Sequence, residues 1–234
     1  MHHTSFLIAL LSFASFAWAA DPSSGKKLLF SDDFNGEVLD ATKWVISGKP
    51  EAVTLAKGPK DKVLRITLVS GPDMIQWNGV STRGKFEQAF GYFEASVRFN
   101  VFVGHTGKFG ISQPDNKVTP NANLLWEGTG GERLSPWGRL ADEEGQKDIR
   151  PEGKGNYLKA GEASKKFNTY GILWTEKSYV WYLNGKQINK YDRVKAKGPM
   201  MISLGHGCGE WERDKLNLKQ LPDDVEFDWV KVWK

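Results

Sequence analysis

Tyr179-Val-Trp-Tyr-Leu183, Asn184-Gly185 and Lys186-Gln-Ile188 read as two extended runs joined by a two-residue turn. Asn-Gly tolerates the positive φ angles of a type I′ turn, whose twist matches that of the strands it joins. The runs are rich in β-branched and aromatic side chains, which suit a pleated, half-buried surface. Upstream, Gly171-Ile-Leu-Trp174 followed by Thr175-Glu-Lys-Ser178 reads as a further strand and turn. The segment therefore predicts consecutive antiparallel strands.

The same signals recur outward from this hairpin. Val63-Leu-Arg-Ile-Thr-Leu-Val69, Gly91-Tyr-Phe-Glu-Ala-Ser-Val-Arg-Phe99 and Val225-Glu-Phe-Asp-Trp-Val-Lys-Val-Trp233 show partial two-residue alternation. In the last, Val225, Phe227 and Trp229 are expected on one face, with Glu226 and Asp228 on the other. Many short strands, polar turns and little helical periodicity predict an all-β chain folded as a two-sheet antiparallel sandwich. Residues 133–166, rich in Gly, Lys and Glu, show no clear period and read as either a long surface loop or several edge strands.

The chain has 234 residues. Residues 1–19 read as a secretion signal: Met1-His-His without acidic residues, an apolar run from Phe6 to Trp18, and Ala17-Trp-Ala19 as a small-residue cleavage site. Residues 20–234 then form one exported domain, periplasmic or extracellular, since no Pro/Ser linker divides them. No other stretch approaches the roughly 20 apolar residues of a membrane span. Cys208 is the single cysteine, so no internal disulfide can form; a buried thiol is expected. The net charge of +4 comes from 32 basic and 28 acidic residues, too small an excess to argue for nucleic acid. A monomer is expected.

Three blocks resemble glycoside hydrolase family 16, the laminarinase and lichenase group. They are Phe30-Ser-Asp-Asp-Phe-Asn-Gly36 with Leu39-Asp40 and Trp44; Ser81 through Phe99; and Phe167-Asn-Thr-Tyr-Gly-Ile-Leu-Trp174 with its hairpin. Met200-Met-Ile-Ser-Leu204, Gly209-Glu-Trp211 and the terminal strand follow in family order. The resemblance implies a concanavalin A-like jelly roll with a concave glycan cleft, retaining endo-glycosidase chemistry on a β-linked glucan or galactan, and no required cofactor. It also implies a structural calcium ion in several members, for which Asp228 stands at the matching place.

That family carries Glu-x-Asp-x-x-Glu, or a version one residue shorter, on a cleft strand. Retaining chemistry needs two carboxyls about 5 Å apart, one attacking the sugar and one protonating the leaving oxygen. Here the corresponding stretch is Asn121-Ala-Asn-Leu-Leu-Trp-Glu127-Gly-Thr-Gly-Gly-Glu132. In one placement the resemblance makes Glu127 the nucleophile and Glu132 the acid/base, Thr129 replaces the Asp and Gly130-Gly131 supplies a bulge. In the other Glu127 is the acid/base, while Ala122 and Leu124 stand where nucleophile and Asp belong. Glu127 survives both, and the Asp is lost in both. The alternative to an enzyme is therefore a catalytically degenerate, lectin-like glycan-binding protein. A structural cell-envelope protein is a third possibility.

Tryptophan faces stack on sugar rings, so Trp77, Trp126, Trp137 and Trp211 are candidate groove residues, joined by Arg83. Trp44, Trp174, Trp229 and Trp233 lie in strand patterns and are expected in the core. Gly104 to Ser112 departs from the apolar, Trp-bearing strand usual in the family. His105 and His206 read as hydrogen-bonded loop histidines, and Asp142-Glu143-Glu144 as a solvated turn.

Overall fold

The computed structural model describes residues 21–69, 77–99, 102–115, 120–129, 133–142, 145–150 and 162–234. The expected secretion signal and Glu132 lie outside these residues. Among the described residues fifteen strands run in chain order: β1 (Leu28–Asp32), β2 (Val45–Ser47), β3 (Val53–Lys57), β4 (Lys62–Leu68), β5 (Asn78–Ser81), β6 (Gly91–Arg98), β7 (Thr106–Ser112) and β8 (Asn121–Thr129), then β9 (Arg133–Asp142), β10 (Gly145–Ile149), β11 (Asn168–Trp174), β12 (Tyr179–Leu183), β13 (Lys186–Tyr191), β14 (Met201–Gly207) and β15 (Asp223–Trp233). Segment 133–166, ambiguous in sequence, contributes β9, β10 and one turn of helix at Glu162–Lys165.

The strands form two antiparallel sheets. One has the order β13-β12-β11-β6-β15-β4-β3, with β1 also paired to the second half of β15. The other has the order β10-β9-β8-β7-β14-β5-β2. Their facing sides bury one core, in which Leu64, Ile66, Phe93, Val97, Ile172, Phe227 and Val230 of the first sheet meet Val80, Phe109, Ile111, Leu124, Trp126, Ile202 and Leu204 of the second. Aliphatic and aromatic burial of this kind gains roughly 1.5–3 kcal/mol per side chain relative to exposure. The hairpin closes as its sequence predicts: Asn184 and Gly185 take φ of 49° and 75°, and Leu183 pairs with Lys186.

One alternation breaks. The pairing of β15 with β6 shifts between Phe227 and Trp229, so that Phe227 faces Val97 and Trp229 faces Ser96. The extra residue at this bulge, Asp228, returns Val230 and Val232 to the core. Trp229 and Trp233 are consequently half-buried on the outer face rather than in the core. There Trp233 stacks on Tyr92, and Lys231 lies over Trp229. Trp44 and Trp174 are buried, as expected.

Candidate active site

β8 decides the site. It pairs with β7 and β9 without a register shift from Asn121 to Thr129. Side chains two apart therefore share a face. Ala122, Leu124 and Trp126 enter the core, leaving Asn123, Leu125 and Glu127 on the outer side of the seven-stranded sheet. Ala122 and Leu124 thus cannot stand at the nucleophile and Asp positions. The residues two and four before Glu127 on its own face are Leu125 and Asn123. Trp126 is corrected as well: it is fully buried, and its indole Nε1 donates to the Gly171 carbonyl at 3.0 Å.

Pairing extends Glu127 into a row across the sheet, Ser135–Glu127–Lys108–Gly205–Gly79–Ser47. A parallel row runs Trp137–Leu125–Gly110–Ser203–Ser81–Val45. The glycines are what let long neighbours lie down. A Cβ at Gly205 would come within 2.9 Å of Lys108 Cε, and one at Gly110 within 2.1 Å of Leu125 Cδ2. Lys108 can therefore lie across the strand, with its ammonium 4.9 Å from the Trp77 ring centre. Leu125 fills the notch above Gly110 and is itself buried.

Glu127 is only 9% exposed. Trp137 Nε1 donates to its Oε2 at 2.9 Å. That indole is held in turn, because the Arg139 and Arg150 guanidiniums lie 5.6 and 5.2 Å from its ring centre. Asp148 fixes both arginines, accepting from Arg139 Nε at 2.9 Å and from Arg150 Nη2 at 3.1 Å. The bonds from Arg139 and Arg150 hold the Asp148 carboxyl below the usual range. Burial pushes the Glu127 carboxyl up, against the Trp137 bond and the attraction of Lys108 and Arg150; Glu212 adds to the rise. Burial also pushes the Lys108 ammonium down, against the attraction of Glu127. Each group stands in a site that disfavours its charged form, which suits Glu127 to hold a proton and deliver it.

A groove of about 360 Å³ adjoins this row, lined among others by Trp77, Arg83, Lys108, Asn123, Met201 and Ser203. Of the candidate groove residues, Trp77 and Arg83 line this groove, and Trp137, paired with Leu125, lies on the same outer face. Trp211 belongs to a 3₁₀ turn at Glu210–Lys215. In that turn Glu212 is buried, with Lys215 Nζ 3.1 Å from its Oε2. Sequence reasoning passed over Lys108 and Glu212. Lys108 was legible from alternation with Phe109 and Ile111, which places it outward. Glu212 acts through the fold and had no local signal.

Asp228 lies on the other sheet and accepts from Ser96 Oγ at 3.4 Å. Among the described residues, no three His, Cys, Asp or Glu donors converge there. A calcium ion takes six to eight oxygens, so one held by Asp228 would rest mostly on backbone carbonyls. His105 and His206 are neither exposed nor in the groove; both are fully buried, and His206 stands within β14. Burial pushes the His206 imidazole down to about 4, against the attraction of Asp223, so the ring is neutral at pH 7. Cys208 is buried, as expected.

Two antiparallel sheets, one presenting a buried glutamate beside a tryptophan-lined groove, define a jelly roll of the concanavalin A type. Residues 41–231 match the family described as glycosyl hydrolases family 16, and the chain belongs to it. It is 26% identical over 219 residues to a beta-glucanase of Brevibacillus brevis, covering 84% of this chain and 73% of that protein. It is 21% identical over 254 residues to the kappa-carrageenase of Pseudoalteromonas carrageenovora, covering 87% of this chain and 63% of that one. In structure it is similar to a laminarinase from Flavobacterium sp. UMI-01, with a TM-score of 0.71 at 17% identity, covering 89% of this chain and 100% of the other.

Proposed function

We propose that this protein is an exported, monomeric hydrolase that cuts a polysaccharide laid along the outer face of the seven-stranded sheet, with Glu127 as the proton donor. The observation that carries this is the state of Glu127: a buried carboxyl paired across the strands with the groove residue Lys108, raised by burial and oriented by the Trp137 indole. A general acid of this kind protonates the glycosidic oxygen as the C–O bond breaks. The retaining scheme also needs a carboxylate that attacks the anomeric carbon before water, deprotonated by Glu127, releases the sugar; the sequence offers Glu132 for it, the reverse of the placement in which Glu127 attacks and Glu132 is the acid/base. Among the described residues the Arg83 guanidinium lines the groove, which favours a glycan carrying sulfate or carboxylate groups. Trp77 offers a ring for stacking.

A second function is favoured by one specific observation. Asn123 and Leu125 share the face of Glu127, and neither is a carboxylate. Without the second acid, the same groove would bind a polysaccharide and leave it uncut.

The two are separated by a reducing-end assay of the full chain on laminarin, mixed-linkage glucan, agarose and carrageenan, beside Glu127→Gln and Glu132→Gln. A hydrolase releases reducing ends on at least one glycan, and each variant loses activity by about 10²-fold or more. Saturable binding with no new reducing ends on any of the four would establish the second function instead.

A further inference from the structure

Away from the groove, three donors from distant parts of the chain meet between the sheets. His105 immediately precedes β7, His206 lies on β14 of the seven-stranded sheet, and Asp223 opens β15 of the eight-stranded one. All three are buried. One ligand atom from each falls within 4.8 Å of the others. The chain has four histidines, and beyond His2 and His3 these are the only two.

The hydrogen bonds fix where the lone pairs are. His206 Nδ1 lies 3.1 Å from the Ile66 carbonyl, which can only accept, so Nδ1 carries the proton and Nε2 the lone pair. That Nε2 is buried with no hydrogen-bond partner and stands 3.7 Å from Asp223 Oδ2. Two electron pairs thus approach one another with no proton between them, in a buried site where an unmet polar atom is destabilising. A divalent cation resolves this. Two donors each about 2.0–2.1 Å from one ion stand roughly 3.3 Å apart at the tetrahedral angle, so the 3.7 Å between His206 Nε2 and Asp223 Oδ2 closes slightly and the 2.7 Å between His105 Nδ1 and Asp223 Oδ2 opens when an ion enters. The Nδ1–H bond to a backbone carbonyl is also the arrangement that orients a ligating imidazole. His105 Nδ1 lies 2.7 Å from the same Asp223 oxygen, and it joins the set when its ring proton passes from Nδ1 to Nε2.

We propose that His206 Nε2, Asp223 Oδ2 and His105 Nδ1 bind one zinc-type divalent ion that ties the two sheets together at this end of the sandwich. Two imidazoles and a carboxylate suit a first-row transition ion better than calcium, which takes oxygen. The fourth position falls to the second Asp223 oxygen or to water. The ion is structural, lying away from Glu127. It supplies the cross-link that a chain with a single cysteine cannot make covalently.

The test uses the full chain with His2→Ala and His3→Ala, stripped with chelator and titrated calorimetrically with Zn²⁺. One ion per chain, bound tighter than about 1 μM, is expected, with a Tm several degrees higher than in the stripped protein. His206→Gln should weaken binding at least about 100-fold. Because that variant loses a core residue and can unfold, Co²⁺ is also added to the protein with both core histidines intact. Intense visible bands of a four-coordinate ion, displaced by Zn²⁺, support the site. Failure to saturate at one ion, affinity unchanged in folded His206→Gln, or only the weak bands of six-coordinate Co²⁺ would overturn it.

Discussion

Glu226 and Glu127 are both buried, each on the outward side of its own sheet, and their neighbours treat them in opposite ways. Glu226, 3% exposed, receives Arg65 Nε at 3.1 Å and Arg65 Nη2 at 2.9 Å on one oxygen, and Arg98 Nη2 on the other. Its charge is met by two guanidiniums. Glu127 receives one neutral indole N–H, and the nearest strand partner, Lys108, is itself pushed toward its neutral form. One carboxylate is paired with cations; the other is pushed up by burial with little to offset it. The contrast separates a carboxylate that joins strands β4, β6 and β15 from one whose surroundings disfavour its charge.

The sharpest break between the two is kinetic. Glu127→Gln should lower hydrolysis by about 10²–10⁴-fold, whereas Glu226→Gln should leave kcat within about threefold, both measured as reducing ends released. Stability should invert the order. Glu226→Gln leaves two arginines facing an amide, and chemical denaturation should show a loss of about 1–3 kcal/mol, moderated because both arginines are partly exposed.

Glu127→Gln should raise Tm by a few degrees at neutral pH, since the amide still accepts from Trp137 and no charge is buried. The sign follows from linkage. The folded carboxyl is raised above its unfolded value, so its contribution is fully present below the unfolded pKa and is lost as pH rises through the folded one. The variant's advantage should therefore vanish in acid, which a Tm series against pH would show. The smallest effect belongs to Trp137→Phe. Removing the indole donor lifts the Glu127 carboxyl further, so the alkaline limb of the activity–pH profile should move upward while kcat falls about tenfold.

The fold was legible in the sequence because its signals are local. Asn184-Gly185 fixes a turn by backbone chemistry, and alternation in β4, β6 and β12 sorts side chains by face. The exceptions mark where alternation is interrupted or read in the wrong phase. A bulge at Asp228 turned Trp229 outward, and no propensity announces one extra residue in an aromatic strand. Trp126 read as a groove residue because it adjoins Glu127; phase in β8 gives neighbours opposite faces, and the indole is buried at Gly171. The same phase moved the positions preceding Glu127 from Ala122 and Leu124 to Asn123 and Leu125. His206 looked like a loop residue because its glycine neighbours suggest a turn, while its meeting with His105 and Asp223 depends on a His105 segment more than a hundred residues away.

Leu125 above Gly110 bears on whether an acid could stand two residues before Glu127. An aspartate at 125 would be shorter than the leucine, would open a void over the glycine, and would bring a second anion beside Glu127 in a dry notch. Leu125→Asp alone should therefore yield a less stable chain rather than a better catalyst. A side chain at 110 could not refill that void: its Cβ would meet Leu125 Cδ2 at 2.1 Å and, whatever stands at 125, the Leu124 carbonyl at 2.8 Å. The notch admits glycine alone, so what covers it must come from β8.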